Sequence, residues 1–137
     1  MSNRKISHIG VAVVEYQRRF LVGIRNGDSP LAGYHEFPGG KCHTGEPSSA
    51  CAARECREET GLEVIPVHEL LSVQHSYDHA ELDLDFWLCR PADASDELFQ
   101  QTLHGFHWIP AAELPDLSFP AANSEIVELL VKEYASE

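Results

Sequence analysis

The chain predicts an α/β (α+β) fold in which a mixed β-sheet lies between helices. Three observations carry this. Apolar pieces of strand length are interleaved with helical pieces. Some strands follow each other closely enough for hairpins, while others are separated by a helix and need a crossover. The last stretch before the C-terminus is amphipathic at helical spacing. The 137 residues are expected to form one domain, residues 1–137, since that length builds an ordinary core without needing a second. With 43% apolar and 23% charged residues, the composition is that of a soluble globular protein.

Taken in order, residues 6 to 14 (ISHIGVAVV) predict a buried strand, Glu15 to Arg18 a turn, and Arg19 to Arg25 its hairpin partner. Asn26 to Gly33, rich in Gly, Asp, Ser and Pro, is a loop. Tyr34 to Phe37 is a short extended piece closed by Pro38, Gly39 and Gly40. Pro47 suits the first turn of a helix. Ala50, Ala52, Ala53 and the glutamates carry that helix to about Thr60, and Gly61 ends it. Two strands follow over Leu70 to Ser76 and Glu81 to Cys89, with Asp78 and His79 at their turn. Leu82, Leu84 and Phe86 alternate with Asp83, Asp85 and Trp87, so one face is core and the other partly wet. Residues 92 to 105 form a polar connection. Phe106 to Ile109 is a short strand, Ala111 to Leu114 a helical turn, and Ala121 to Tyr134 the C-terminal helix.

The net charge of −12 argues against a nucleic acid polymer as partner, which would need a basic face. A small phosphorylated substrate is compatible with it, because bound divalent cations reverse the field where they sit. The opening MSNRKISHIGVAVV has too short an apolar run for a signal peptide, and no stretch is long enough to span a membrane. A cytoplasmic protein with no membrane partner is therefore expected. Cys42, Cys51, Cys56 and Cys89 form no CxxC pair and lie at no zinc-finger spacing to histidine. They read as reduced, mostly buried thiols of a reducing compartment.

The most informative segment is residues 40 to 62, GKCHTGEPSSACAARECREETGL. Glu55, Glu58 and Glu59 fall within about one helical turn, where ionised carboxylates repel each other. A hard divalent cation held by oxygen ligands, Mg²⁺ above all, resolves that repulsion. An acidic run on a helix is otherwise a solvated face.

Here the residues meet a known pattern. The segment resembles the Nudix box, G-x5-E-x7-R-E-U-x-E-E-x-G-U, with U a bulky apolar residue. Gly40, Glu46, Arg54, Glu55, Glu58, Glu59 and Gly61 fill every fixed position and Leu62 the last U. Cys56 at the first U is the one departure inside the box. Glu36-Phe37-Pro38-Gly39-Gly40-Lys41 is similar to the lead-in of the MutT-type branch. Trp108-Ile109-Pro110 and Phe119-Pro120-Ala121-Ala122-Asn123 resemble that branch's closing segment.

The resemblance implies the Nudix α/β/α sandwich and hydrolysis of a nucleoside diphosphate linked to another moiety. The favoured reaction turns a nucleoside triphosphate into a monophosphate and pyrophosphate, with an oxidised purine such as 8-oxo-dGTP as the substrate class. Other diphosphates remain open, including ADP-ribose, a dinucleoside polyphosphate or a pyrimidine nucleotide. So does a non-catalytic nucleotide-sensing module. The implied cofactor is Mg²⁺, with Mn²⁺ as a substitute, and the molecule would be a monomer or homodimer.

Residue by residue, Glu55 and Glu59 would hold the metal from one face, Glu58 would complete or bridge the site, and the Gly39 carbonyl would add a ligand. Arg54 would fix the rotamer of a box glutamate, and Glu46 would either support the site or touch the metal weakly. The general base is open between Glu58 and Glu97. The loop ADASDELFQQTLHGFHW offers Asp93, Asp96 and Glu97, but carries Gln101 and Thr102 where the branch tends to place an acid. His104 or His107 would assist, or be ordinary surface or sheet histidines. Asn123 would read a base edge, Arg25, Glu36 and Lys41 would border the substrate, and Phe86 would stack on the base or pack in the core. Asn123 would equally serve as N-cap of a helix starting at Ser124.

Overall fold

The structure is a computed structural model that describes residues 5–27, 31–77, 80–101 and 103–135. Among the described residues, seven strands join one mixed sheet. They are β1 (Lys5–Tyr16), β2 (Arg19–Ile24), β3 (His35–Glu36), β4 (Gly39–Lys41), β5 (Val64–Tyr77), β6 (Ala80–Pro91) and β7 (His107–Pro110). The main path runs β3-β2-β1-β6-β5, with β4 on β1 and β7 on β2. β1 and β6 are parallel from Lys5↔Ala80 to Val14↔Cys89, and the remaining pairs are antiparallel.

Helix α1 (Ser48–Thr60) covers one face and α2 (Ser124–Leu130) the other. The expected layered fold is therefore observed. β1 shows why its sequence is a continuous apolar run. Val11 and Val13 pack with Phe20, Phe86, Ile126 and Leu130 under α2. Ala12 and Val14 pack with Leu21, Ala52, Cys56 and Leu62 under α1. Alternate side chains from Val11 to Val14 serve opposite cores, which is why this stretch is apolar on both faces.

β1 also changes partner along its length. Its C-terminal end pairs with β2 through Glu15↔Phe20. Its N-terminal half pairs with β4 through Ile9↔Lys41, Gly10↔Gly40 and Val11↔Gly39. That exchange brings the glycine pair of the box onto the sheet beneath α1.

Several boundaries depart from expectation. β5 begins at Val64, six residues before Leu70. Pro66 hides this in the sequence, but β5 is an edge strand with register shifts at Pro66/His68 and Glu69/Leu71, where proline is tolerated. The 92–105 connection contains a 3₁₀ turn over Asp96–Gln100. The C-terminal helix is segmented into a 3₁₀ turn at Ala121–Asn123, α2, and a wider turn at Val131–Ala135. Asp78, His79 and Thr102 lie outside the described residues. Among the described residues, no helix is long and apolar enough to cross a membrane.

Candidate active site

α1 starts after Pro47, whose extended backbone (φ −61°, ψ 145°) occupies the N-cap position. It stops at Gly61, where φ of +81° suits glycine and the N–H closes onto the Arg57 carbonyl. Cys51, Ala52, Cys56 and Thr60 form its buried face. The first turns sit hard against β1: a methyl at Gly10 would lie 2.7 Å from the Ser48 carbonyl oxygen and 2.9 Å from the Ala52 nitrogen. Trp87 Nε1 also donates to Ser48 Oγ at 2.9 Å, fixing the helix start to β6.

This docking turns Glu55 and Glu59, one turn apart, toward the Gly39-Gly40 backbone. The Gly39 N–H donates to Glu59 Oε1 at 3.2 Å. A methyl at Gly40 would lie against the Glu55 carboxyl group, with Oε2 at 2.8 Å. Gly40 thus leaves room for a carboxylate, which is why the position excludes a side chain. At the end of α1, His104 Nδ1 donates to the Glu59 carbonyl oxygen at 3.1 Å, from a backbone at φ +53°.

Arg54 gathers the remaining box carboxylates. Its Nε donates to Glu46 Oε2 at 2.8 Å and its Nη2 to Glu46 Oε1 at 3.1 Å. Nη1 reaches Glu55 Oε2 at 3.1 Å and both Glu58 oxygens at 3.2 and 3.1 Å. Nη2 also reaches the Lys41 carbonyl at 3.1 Å. The bidentate pair with Arg54, helped by the His43 N–H, holds Glu46 down at about 2. Its carboxylates in turn raise Arg54 above its ordinary value. Burial does the opposite to Glu59, lifting it to about 7 against the Gly39 N–H, with Glu36 and Glu55 adding repulsion.

Among the described residues, no three His, Cys, Asp or Glu side chains converge as a ready-made metal cluster. Of the expected trio, Glu58 places both oxygens on Arg54 Nη1 with its side chain 54% exposed, and Glu55 shares that nitrogen through Oε2. Glu55 and Glu59 stay together beside the Gly39-Gly40 backbone. Hard oxygen donors and a crowded, half-buried carboxylate fit a divalent cation.

Next to this pair is a cavity of about 270 Å³. Ile9, Val11, Phe37, Leu82 and Leu84 form its apolar walls, and Arg25, Glu36, Lys41 and Asn123 line it with Gly39, Gly40 and Pro120. Arg25 Nε and Glu36 Oε1 are 3.2 Å apart across the rim. Burial outweighs that partner and raises Glu36. Asn123 occupies the N-cap position of α2 but makes no side-chain capping bond. Asn123 lines the cavity, and its amide is not committed to the helix end.

Two expected residues fall elsewhere. Phe86 is fully buried and lies among the core residues, not in the cavity lining. Leu82 and Leu84, on the same face of β6, line the cavity, and the core closes over the strand before Phe86 is reached. Glu97 is exposed in the Asp96–Gln100 turn. Its neighbour Asp96 accepts hydrogen bonds from Tyr16 and Gln17 at the β1–β2 turn. That turn is five residues along β1 from Val11, roughly 17 Å of strand, while the adjacent Leu98 joins the core beneath α1. His107 is exposed on β7. Cys51, unassigned from the sequence, lies inside the box: its Sγ donates to the Gly40 carbonyl at 3.4 Å and is 3.9 Å from Arg54 Nη2. Only the pairing of β4 with β1 reveals this, and no local spacing signals it.

A NUDIX domain model matches residues 10–129. The 8-oxo-dGTP diphosphatase of Proteus vulgaris is 30% identical over 89 residues, covering 64% of this chain and 80% of that protein. The CTP pyrophosphohydrolase of Escherichia coli (strain K12) is 30% identical over 83 residues, covering 61% of this chain and 62% of that protein, under two thirds of its length. In fold, the crystal structure of a MutT protein from Methanosarcina mazei Go1 superposes with a TM-score of 0.78 at 18% identity, over 99% of this chain and 100% of that one. The layered fold, the glycine-backed carboxylates and the matched domain agree, and the chain belongs to the Nudix family of hydrolases acting on phosphoric anhydrides.

Proposed function

We propose that the protein hydrolyses a nucleoside triphosphate to a nucleoside monophosphate and pyrophosphate, in a Mg²⁺-dependent reaction that removes oxidised purine nucleotides such as 8-oxo-dGTP. The observation that carries this reading is the adjacency of a base-sized cavity lined by Asn123 to the Glu55–Glu59 pair. The relative named as an 8-oxo-dGTP diphosphatase supports the same substrate class.

In this reading Glu55 and Glu59, with the Gly39 carbonyl, hold the cation. When bound, Mg²⁺ neutralises phosphoryl oxygens and acidifies water. Arg54 keeps Glu46, Glu55 and Glu58 in place, so the carboxylates need no reorganisation as substrate enters. Glu58, half in solvent on α1 beside the metal-holding pair, takes the proton of the attacking water. Lys41 and Arg25 meet phosphate charge at the cavity mouth, and the amide of Asn123, able to donate and accept at once, reads the base edge. The apolar walls exclude water and favour a flat ring.

A second reading, a pyrimidine triphosphate in the same cavity, is favoured by equal identity to the CTP pyrophosphohydrolase. A panel of oxidised and normal purine and pyrimidine triphosphates, ADP-ribose and dinucleoside polyphosphates with Mg²⁺, scored for pyrophosphate against phosphate, separates the readings. Release of phosphate alone, or best turnover on ADP-ribose, would overturn the first.

A further inference from the structure

Two thiols meet beneath the carboxylate site. Cys42 N donates to the His8 carbonyl at 2.8 Å, extending the β1–β4 pairing one step beyond Ile9↔Lys41. Strand periodicity then puts Cys42 on the same side of the sheet as Gly40 and Gly10, the side that faces α1. Cys51 sits over that glycine pair: its Cβ would lie 2.9 Å from a methyl on Gly10, and its Sγ donates to the Gly40 carbonyl at 3.4 Å. The register and the helix contact thus place the two thiols on the same side of the strand–helix junction, where Cys42 acts on the Cys51 thiol. Their surroundings differ. Cys42 is partly exposed and Cys51 buried. Burial pushes the Cys51 thiol up to about 12, with Cys42 adding to it, so Cys51 is a poor first nucleophile. With no third ligand converging among the described residues, the pair is suited to thiol oxidation and not to metal binding.

We propose that Cys42 and Cys51 form a reversible disulfide that shuts the carboxylate site under peroxide. The Cys42 sulfur attacks one oxygen of hydrogen peroxide; the O–O bond breaks, Cys42 becomes a sulfenic acid, and the departing hydroxide leaves as water. Cys51 sulfur then attacks the sulfenic sulfur; the S–S bond forms, the S–O bond breaks, and the hydroxide takes the Cys51 proton to leave as a second water. Two thiols lose two electrons and one peroxide gains them. Once oxidised, Cys51 has no S–H for the Gly40 carbonyl, and its sulfur is drawn from Arg54 toward the 42–46 loop that carries Glu46. The Gly39-Gly40 backbone and the Arg54 pairs lose their support together. A dithiol reductant reverses this. Cys56 and Cys89 are buried in the α1 core and are spared.

Inhibition rests on the proposed hydrolase activity; formation of the bond does not. Trypsin releases residues 42–54 as one peptide, between Lys41 and Arg54. After hydrogen peroxide treatment of the whole chain, that peptide should be two hydrogens lighter and take no iodoacetamide. Nucleotide turnover should fall about tenfold and return with dithiothreitol. Cys42→Ser should keep basal turnover, form no such peptide and resist peroxide. A 42–54 peptide that still alkylates, or carries sulfinic acid on Cys42, would overturn the bond. Equal inactivation of Cys42→Ser, or unchanged turnover of the crosslinked protein, would overturn the switch. A chain inactive on every nucleotide fails the hydrolase reading instead, and the peptide mass still tests the bond.

Discussion

The Gly39 N–H donates to Glu59 Oε1 across 3.2 Å, tying the strand that leads into the box to the last turn of its helix. Glu55 lies one turn back against Gly40. Amide and carboxyl side chains have nearly the same shape, so Glu55→Gln or Glu59→Gln should leave the fold intact. Nucleotide turnover with Mg²⁺ should drop by about two orders of magnitude or more. Circular dichroism and steady-state kinetics check both halves. Turnover within a factor of two of the parent in both variants would remove these residues from the metal assignment.

Gly10 and Gly40 form one register pair but should respond differently to alanine. At Gly40 the methyl meets the end of a flexible side chain, the Glu55 carboxylate, which can turn aside. Gly40→Ala should therefore stay folded and lose activity. At Gly10 it meets the backbone of α1, the Ser48 oxygen at 2.7 Å and the Ala52 nitrogen at 2.9 Å. Gly10→Ala should be destabilised by about 1–3 kcal/mol, read by chemical denaturation. The reverse ranking of stability would contradict the packing of α1 on β1.

Much of this was legible locally. The seven fixed box residues lie on one helix, its lead-in and its closing glycine, and helical spacing alone places Glu55 over Glu59. The alternation of Leu82, Leu84 and Phe86 shows their common face, but not how far along β6 the core closes; that depends on α2, distant in sequence. The placement of Glu97 is hidden for a similar reason. Its turn is anchored by Asp96 to Tyr16 and Gln17, some eighty residues earlier. Cys51 belongs to the site through a strand pairing that no local pattern encodes.

Asn123 stands at the N-cap of α2 without a side-chain capping bond and lines the cavity. If its amide reads a base, Asn123→Ala should narrow the ratio of kcat/KM between the best and worst nucleotides by about tenfold. One lost bidentate contact has that order of effect. Thermal stability should change little, since no cap is removed. Unchanged discrimination with a lowered melting point would return Asn123 to a purely structural role.

Acid should dismantle the Glu46–Arg54 pair. The Glu46 carboxyl is held at about 2, below its ordinary 4.5. The stability it contributes is therefore complete above about pH 4.5 and is lost as pH falls toward 2. Glu46→Gln lacks this proton uptake. Melting curves from pH 5 to 2 should show the parent losing more stability than Glu46→Gln. Parallel curves would argue against the pairing.

Glu59 has the opposite sign. Without a divalent cation, burial raises its carboxyl from 4.5 to about 7. The folded chain therefore holds a proton that the unfolded chain releases first. Stability from this source is complete below about pH 4.5 and is lost as pH rises through 7. In the presence of a chelator, the parent should lose stability across that window while Glu59→Gln stays level. Mg²⁺ competes with that proton, so the stabilisation it confers should increase as pH rises through 7 and be weaker in Glu59→Gln. Melting temperatures measured across this range, with and without Mg²⁺, check both halves. A chelated parent that tracks Glu59→Gln at every pH would show that this carboxyl is not the group being held neutral.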